Sequence, residues 1–122
     1  MKPTRFLLIL FATVAMPSFA ANVYIHKDQP FTQVRARLIK DKWKPVPMHL
    51  DDQYGYEGVE KHLVKRGYKE VDSCSIDSSR CILYYKKGKQ CLRLDTIGEQ
   101  VKFMKVEQWS NECPDAPPKK AD

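Results

Sequence analysis

The sequence predicts an α+β domain in which two short helices pack on one face of a three- to four-stranded antiparallel sheet that carries two disulfide bonds. Three observations lead to this fold class. Apolar residues recur at helical spacing in the first half of the chain, short β-type segments separated by turn residues fill the second half, and all four cysteines lie in that second half. Helices followed by strands are typical of α+β architecture, and 122 residues allow a single hydrophobic core.

Residues 1–20 have the composition of a secretion signal. Lys2 and Arg5 give it a basic start, residues 6–15 form an uncharged apolar run, and a small-x-small pattern ends at Ala20. The apolar run is about half as long as the roughly 20 residues that a membrane-spanning helix needs. No cysteine follows that run as a lipid-attachment site. We therefore expect cleavage after Ala20 and a soluble periplasmic or secreted protein with no membrane anchor.

The mature chain is nearly balanced in charge. The whole sequence has a formal net charge of +6, and removal of residues 1–20 lowers it to +4. Five basic residues lie from Arg80 to Arg93 with no acid between them, so the excess is concentrated in one segment. An exported protein of such small net charge is a poor candidate for nucleic acid binding. We expect one domain over residues 21–113 and a flexible tail over 114–122, where apolar periodicity ends.

An internal repeat predicts the two helices. Residues 31–46 align without gaps on residues 56–71, and five of the sixteen positions are identical. In both units an aromatic residue, Val, Leu and an aliphatic residue recur at i, i+3, i+7 and i+8, which places them on one face of a helix. Pro30 suits the first turn of the first helix, with Asp28 or Gln29 as its cap.

The ends of the two units predict similar helix terminations. Gly67 suits the left-handed position that ends the second helix. Lys42 occupies the equivalent place in the first unit, at a cost of up to about 1 kcal/mol if it adopts that conformation. Asp51 or Asp52 stands upstream of the second helix as a capping candidate. Each unit is therefore a short helix followed by an aromatic residue and an extended segment.

Four segments are predicted to form strands. Pro45 and Pro47 keep the segment after the first helix out of a central strand. A two-residue turn at Lys87-Gly88 closes a hairpin and places Tyr84 opposite Cys91. The strand segments are 71–74, 80–85, 90–94 and 101–109.

The four cysteines predict two disulfide bonds. An even number of cysteines in a small exported domain is typical of a disulfide framework, and three pairings are possible. The spacings lack the C-x2-C pairs of a four-thiolate zinc site and the C-x-x-C pair of a redox enzyme. An antiparallel return brings Cys74 beside Cys81, and the last strand delivers Cys113 to the hairpin end near Cys91. We therefore predict the bonds Cys74–Cys81 and Cys91–Cys113.

Several features occur together over most of the mature chain. They are a helix that ends in Trp43-x-Pro45-Val46, a C-x6-C pair, a strand hairpin, and a terminal Trp followed by Cys113. In these features the chain resembles small uncharacterised exported proteins of proteobacteria, a resemblance that implies export and no particular activity. The order of helix, helix and antiparallel sheet is also similar in architecture to the modules of the β-lactamase inhibitory protein and of small outer-membrane assembly lipoproteins. This chain lacks the lipid-attachment cysteine of the second group.

The sequence lacks the spacing patterns of the common catalytic and metal sites. His26, His49 and His62 form neither H-E-x-x-H nor an i,i+4 pair, and we expect solvated or capping roles for them. The serines within residues 73–79 lack G-x-S-x-G and S-x-x-K patterns, and a turn explains them better. We therefore expect no cofactor, no metal and no enzymatic activity.

Two features mark candidate interaction residues. One is the basic hairpin, whose lysines either protect an exposed edge from pairing or contact an anionic partner. The other is the set of aromatic residues outside the core, since Tyr54 and one of Tyr84 or Tyr85 should face outward by alternation. Core positions are expected for Phe31, Trp43, Tyr56, Tyr68 and Phe103. The candidate interaction residues are Tyr54, Tyr84, Tyr85, Lys86, Lys87 and Lys89.

These observations favour a non-enzymatic periplasmic protein-binding module whose partner is another envelope or secreted protein. An inhibitor, an immunity protein and an envelope-assembly accessory protein all fit that description. The alternative is a binder of an anionic envelope polymer through the basic hairpin. A small hydrolase that uses the histidines is the third hypothesis.

Overall fold

The computed structural model of the chain describes residues 24–50 and 53–115, together with positions 3, 9, 10 and 12. Apart from those four positions, the signal peptide predicted over residues 1–20 lies outside the described residues, so cleavage after Ala20 stays a prediction. The tail predicted over 114–122 lies outside them from residue 116 onward. Among the described residues, no helix is both long and apolar enough to span a bilayer.

Within the described residues the chain forms two α-helices and a five-stranded antiparallel sheet, which confirms the predicted α+β class. The sheet has one strand more than the largest number expected, because Lys44 and Pro45 pair with Lys86 and Tyr85. Proline is tolerated there since this short strand lies at an edge of the sheet. The elements are α1 (Phe31–Lys40), β1 (Lys44–Pro45), α2 (Val59–Lys65), β2 (Val71–Cys74), β3 (Arg80–Lys87), β4 (Gln90–Ile97), a 3-10 turn (Val101–Phe103) and β5 (Lys105–Ser110).

The long hairpin of β3 and β4 forms the centre of the sheet. The strand order is β1-β3-β4-β5, and β2 pairs with β3 on the same side as β1. Alternate hairpin residues point towards the helices, so Leu83 and Tyr85 of β3 and their partners Leu94 and Leu92 of β4 lie in the core. The helices contribute Phe31, Val34, Leu38 and Leu63 to this core.

Both disulfide bonds are the predicted ones. Cys74 and Cys81 are directly opposite each other on β2 and β3 and form one bond. Cys113, beyond the end of β5, bonds to Cys91 near the start of β4. Among the described residues no cysteine is free. The chain-entropy model assigns roughly 2–4 kcal/mol of stabilisation to each bond, because each one restricts the unfolded chain.

The two helices end in the same way, as the internal repeat predicts. After each helix one residue adopts a left-handed backbone conformation. The N–H of the next residue then donates to the carbonyl five residues earlier, at 2.9 Å after α1 and 3.0 Å after α2. Glycine adopts the left-handed conformation without steric cost, whereas Lys42 is held there with a φ of 72°. The equivalent residues are Lys42 and Gly67, Trp43 and Tyr68, and Leu38 and Leu63.

The expected capping of α1 by Asp28 or Gln29 is wrong. Pro30 directly precedes the helix, and no side chain among the described residues caps it. The Asp28 N–H donates to the Val106 carbonyl and the Val106 N–H donates to the Gln29 carbonyl, so both residues are held along the edge of β5. The capping candidates of α2, Asp51 and Asp52, lie outside the described residues.

The turn of the hairpin is displaced by one position from the predicted turn. The two-residue loop is Gly88-Lys89 instead of Lys87-Gly88, and Tyr84 pairs with Arg93 instead of Cys91. Gly88, with a φ of 58°, thereby takes the first loop position, where a type II′ turn requires glycine. The register therefore moves by two residues, which leaves every side chain on its predicted face of the sheet.

The last strand is shorter than predicted, because Val101–Phe103 forms a 3-10 turn and β5 begins at Lys105. Phe103 is 66% exposed, so its expected core position is wrong. The turn places Val101 and Met104 in the core instead. Of the other aromatic residues expected there, Phe31 and Trp43 are buried, and Tyr56 and Tyr68 are half-buried against the core.

A buried carboxylate joins α1 to the sheet. Glu70, just before β2, is fully buried and accepts hydrogen bonds from Arg35 Nε at 2.6 Å, Arg35 Nη2 at 3.2 Å and the Tyr85 hydroxyl at 2.5 Å. The Arg35 guanidinium also lies 3.9 Å from the centre of the Tyr68 ring. A buried carboxylate is tolerated only when it is paired and hydrogen-bonded. Burial, followed by the nearby charge of Glu70, raises the pKa of Tyr85 well above its ordinary value.

Replacing Lys42 with glycine should stabilise the protein by about 1 kcal/mol, because glycine adopts the left-handed conformation without strain. The matched control is Lys40→Gly in the last turn of α1, which should destabilise the protein by up to about 1 kcal/mol through its lower helix propensity. Denaturant unfolding measures both changes. A Lys42→Gly variant less stable than wild type would contradict the equivalence of Lys42 and Gly67.

The free energy of unfolding should fall at alkaline pH through Tyr85. The folded-state pKa of its hydroxyl lies above the unfolded-state value of 10.0, so the folded protein keeps the proton to higher pH. The stability that this proton contributes is therefore complete below pH 10 and is lost as the pH rises towards the folded-state pKa.

Tyr85→Phe tests this dependence by urea unfolding at a series of pH values. The variant should be less stable than wild type at neutral pH by about 2 kcal/mol, because the bond to Glu70 is lost. It should also lose less stability than wild type above pH 10. Tyr24→Phe, at an exposed position, is the control and should parallel wild type. An alkaline fall as steep in Tyr85→Phe as in wild type would refute the assignment.

Candidate interaction surfaces

The predicted lysines lie together at the turn of the β3–β4 hairpin. Lys86 and Lys89 are exposed, and Lys87 is half-buried. The structure adds a fourth lysine, Lys44, which is directly opposite Lys86 on β1. None of the four forms an ion pair with another described residue. We call Lys44, Lys86, Lys87 and Lys89 the lysine end.

Neither tyrosine of the hairpin faces solvent, so the expected exposure of one of them is wrong. Tyr85 is fully buried on the helix side of the sheet, and Tyr84, on the opposite face, is only 6% exposed. Burial raises the pKa of the Tyr84 hydroxyl, although the charge of Arg93 acts in the opposite direction. Tyr84 lies opposite Arg93 of β4 on this face of the hairpin.

Tyr54 belongs to a separate cluster in front of α2. Its ring stacks on His49 with 3.5 Å between ring centres, and Tyr56 packs edge-on against both rings at 4.9 and 5.6 Å. His49 Nε2 lies 2.6 Å from the backbone oxygen of Asp72 and must be the donor, since a carbonyl only accepts. Tyr54 is half-buried and its ring is engaged within the domain.

Glu60 of α2 joins this cluster to the first disulfide bond. Its carboxylate, in a residue that is 5% exposed, accepts hydrogen bonds from the Tyr54 hydroxyl at 3.2 and 3.3 Å, the Cys74 N–H at 3.2 Å and the Glu57 N–H at 3.4 Å. Burial, followed by the charge of Glu60, raises the pKa of both Tyr54 and Tyr56. One carboxylate therefore fixes the loop before α2 against β2.

Two arginine–carboxylate pairs occupy the face of the sheet away from the helices. Arg80 donates from Nε and Nη2 to Glu107 at 2.8 and 3.1 Å. Arg93 donates from the same two atoms to Asp95 at 2.7 and 3.2 Å, and Gln108 donates to Asp95 at 2.7 Å. Bidentate pairs of this kind hold both side chains in one geometry.

These pairs line a concave, half-open pocket with a volume of about 480 Å³. Ile82, whose partner across the hairpin is Asp95, adds an apolar side chain to this pocket. The Cys74–Cys81 bond lies at the border of the pocket. The surface lies on the opposite side of the sheet from the core residues Leu83 and Tyr85. We call the surface formed by Arg80, Ile82, Arg93, Asp95, Glu107 and Gln108 the ion-pair face.

Hydrogen bonds on the ion-pair face shift the pKa of Glu107 and that of Arg93 in the direction that favours their ionised forms. The bond from Arg80 lowers the pKa of Glu107, and the bond to Asp95 raises the pKa of Arg93. The Arg80 side chain is 52% exposed, whereas Asp95 is buried, so solvent screens the pair of Asp95 less. The face therefore presents one fixed internal pair and one arginine that is open to solvent.

The three histidines of the hydrolase hypothesis belong to three different segments of the fold. His26 is exposed before α1, His49 is in the aromatic cluster, and His62 is exposed on α2, where it lines a hollow of about 250 Å³. Ser75 and Ser78 hydrogen-bond each other in the loop after β2, in agreement with the predicted turn. Among the described residues, no group of three His, Cys, Asp or Glu side chains is arranged to hold a metal ion.

Comparison with known proteins supplies no relative whose function can be transferred to this chain. No protein-family model, curated protein or solved structure matches this chain. Function must therefore be inferred from the surfaces of the chain itself.

Glu60→Ala should destabilise the protein by about 2 kcal/mol, because the variant leaves buried donors without an acceptor. Hydrogen exchange should show the effect at the Cys74 amide, which loses its acceptor and should exchange faster than in wild type. Glu57→Ala, at an exposed position in the loop before α2, is the control and should leave that amide unchanged. Unchanged exchange at Cys74 in Glu60→Ala would show that Glu60 does not hold β2.

Proposed function

We propose that the chain is an exported, non-enzymatic protein-binding module whose partner is another envelope or secreted protein, as an inhibitor, an immunity protein or an envelope-assembly accessory protein. The observation that carries this proposal is the ion-pair face. It is a concave, charged surface on the side of the sheet away from the helices, and its side chains are already held in place in the unbound chain.

The rigidity of this face favours binding. Asp95 is 8% exposed and accepts hydrogen bonds from Arg93 and Gln108, so neither donor is free to change rotamer. The Cys74–Cys81 bond fixes β2 against β3 at the border of the face. Side chains that are ordered before binding lose little further entropy in a complex.

Arg80 indicates the chemistry of the partner. Its guanidinium has five N–H donors, of which Nε and Nη2 serve Glu107. The side chain is 52% exposed and makes no other hydrogen bond to a described residue. Arginine is enriched at protein interfaces, where its planar fork binds carboxylates. We therefore expect the partner to place an Asp or Glu side chain against Arg80 and an apolar side chain against Ile82.

The two disulfide bonds support an oxidising compartment, where such bonds persist. The basic and apolar composition of residues 1–20 supports export with cleavage after Ala20. The resemblance to small exported proteins of proteobacteria agrees with the same location. Export to an oxidising compartment would bring the chain to an envelope or secreted partner.

Photo-crosslinking tests the surface and the partner at once. A photoreactive amino acid at Gln108, exposed on the ion-pair face, should crosslink one envelope or secreted protein in cells that make the full-length chain. The same amino acid at Lys61, exposed on α2, is the control position and should not. Arg80→Glu should abolish the Gln108 crosslink, whereas Lys61→Glu should leave it unchanged.

The absence of a crosslink from Gln108, or an equal crosslink from both positions, would remove the ion-pair face as a protein interface. A crosslink that persists in Arg80→Glu would remove the carboxylate contact. Circular dichroism of each variant checks that the domain is folded.

A further inference from the structure

We infer that the lysine end binds a soluble linear polyanion whose repeating charged group is phosphate. This inference is independent of the proposed protein partner, since Arg80 of the ion-pair face begins β3 and Lys86 and Lys87 of the lysine end conclude it. The two functions can therefore succeed or fail separately.

The structure concentrates unpaired positive charge at this end. Arg80 and Arg93 both have carboxylate partners, so they contribute little net charge to their surroundings. The three lysines between them in the sequence form no ion pair with any described residue, and neither does Lys44 beside them. In the basic segment from Arg80 to Arg93, the two terminal arginines are therefore paired with carboxylates, and the three lysines between them keep their positive charge unpaired.

Lys44 and Lys86 are directly opposite each other on antiparallel strands. Side chains in that position have Cβ atoms about 5 Å apart, and like charges there oppose folding. Protection of a sheet edge explains Lys44, which is on an edge strand. It does not explain Lys86, because β3 at this point has β1 on one side and β4 on the other. An anion that lies between the two ammonium groups removes the repulsion.

The chemistry of the lysine end favours a phosphate polymer over a single carboxylate. Lysine is a flexible point charge that binds phosphate well, whereas bidentate carboxylate recognition requires the fork of arginine. Four exposed or half-exposed lysines at a protruding turn provide several weak contacts, whose sum is large only along a chain of charges.

A membrane surface is a poorer candidate for this end of the sheet. Among the described residues, the large apolar side chains that are exposed all lie outside the β3–β4 hairpin. A peripheral contact with a bilayer uses such side chains together with basic ones. The lysine end therefore has the charge for an anionic surface without the apolar anchor.

Titration of the mature chain with inorganic polyphosphate tests the inference. The wild-type affinity should fall about tenfold or more between roughly 50 and 200 mM salt, because bound counterions are released. Lys44→Gln combined with Lys86→Gln should weaken binding about tenfold and reduce the slope of log affinity against log salt by about 1.4, at roughly 0.7 per phosphate on a flexible chain. Lys61→Gln combined with Lys65→Gln removes the same charge from α2 and should bind as wild type.

Thermal unfolding separates loss of binding from loss of folding. Without ligand, Lys44→Gln combined with Lys86→Gln should melt no lower than wild type, since a repulsive pair is gone. Polyphosphate should raise the Tm of wild type and of the α2 control, and should raise that of the Lys44 and Lys86 variant much less.

Four results would overturn the inference. One is equal binding by the two double variants, and another is binding that does not depend on salt. The third is binding through the same lysines to vesicles that contain anionic phospholipid, with none to polyphosphate, which would assign the lysine end to a membrane surface. Orthophosphate bound as tightly as polyphosphate would contradict the requirement for a polymer.

Discussion

The buried carboxylate of Glu70 is the interaction on which the arrangement of helices and sheet depends. Arg35 of α1 and Tyr85 of β3 both donate to it, and Tyr68 covers the guanidinium of Arg35. A buried charge that loses its partners costs several kcal/mol, so these groups have to keep one mutual geometry. That geometry commits one face of the hairpin to the helices. The other face is left for Arg80, Arg93 and their carboxylates.

The two disulfide bonds complement this buried network by holding the periphery of the same hairpin. Cys74–Cys81 ties β2 to the start of β3, and Cys91–Cys113 ties the chain after β5 to the start of β4. Glu60 reinforces the first bond, because it accepts a hydrogen bond from the Cys74 N–H. The sheet is thus fixed at both ends of the hairpin, which explains how the face away from α1 and α2 can present ordered side chains.

The distribution of charge follows from the same topology. Alternation places Asp95, two residues after Arg93, on the same face of β4, and Glu107, at the bulge in β5, pairs with Arg80, so both arginines are neutralised. At the turn end no carboxylate of the described residues reaches the lysines in an ion pair. One hairpin therefore carries two chemically different surfaces, a paired one suited to a protein and an unpaired one suited to a polyanion.

The sequence by itself determined the features that depend on local chemistry or on side-chain alternation. These include the α+β class, the equivalent helix ends at Lys42 and Gly67, and both disulfide pairings, which survive a register error because a shift of two residues preserves the face. Only the tertiary structure decided which polar groups are buried and which charges are neutralised. Glu70 meets Arg35 across 35 positions of chain, Arg80 meets Glu107 across 27, and Lys44 lies opposite Lys86 because residues 44 and 45 pair with β3. Such contacts depend on how distant segments pack, and the free energy of that packing leaves no periodic signal in the residues that make it.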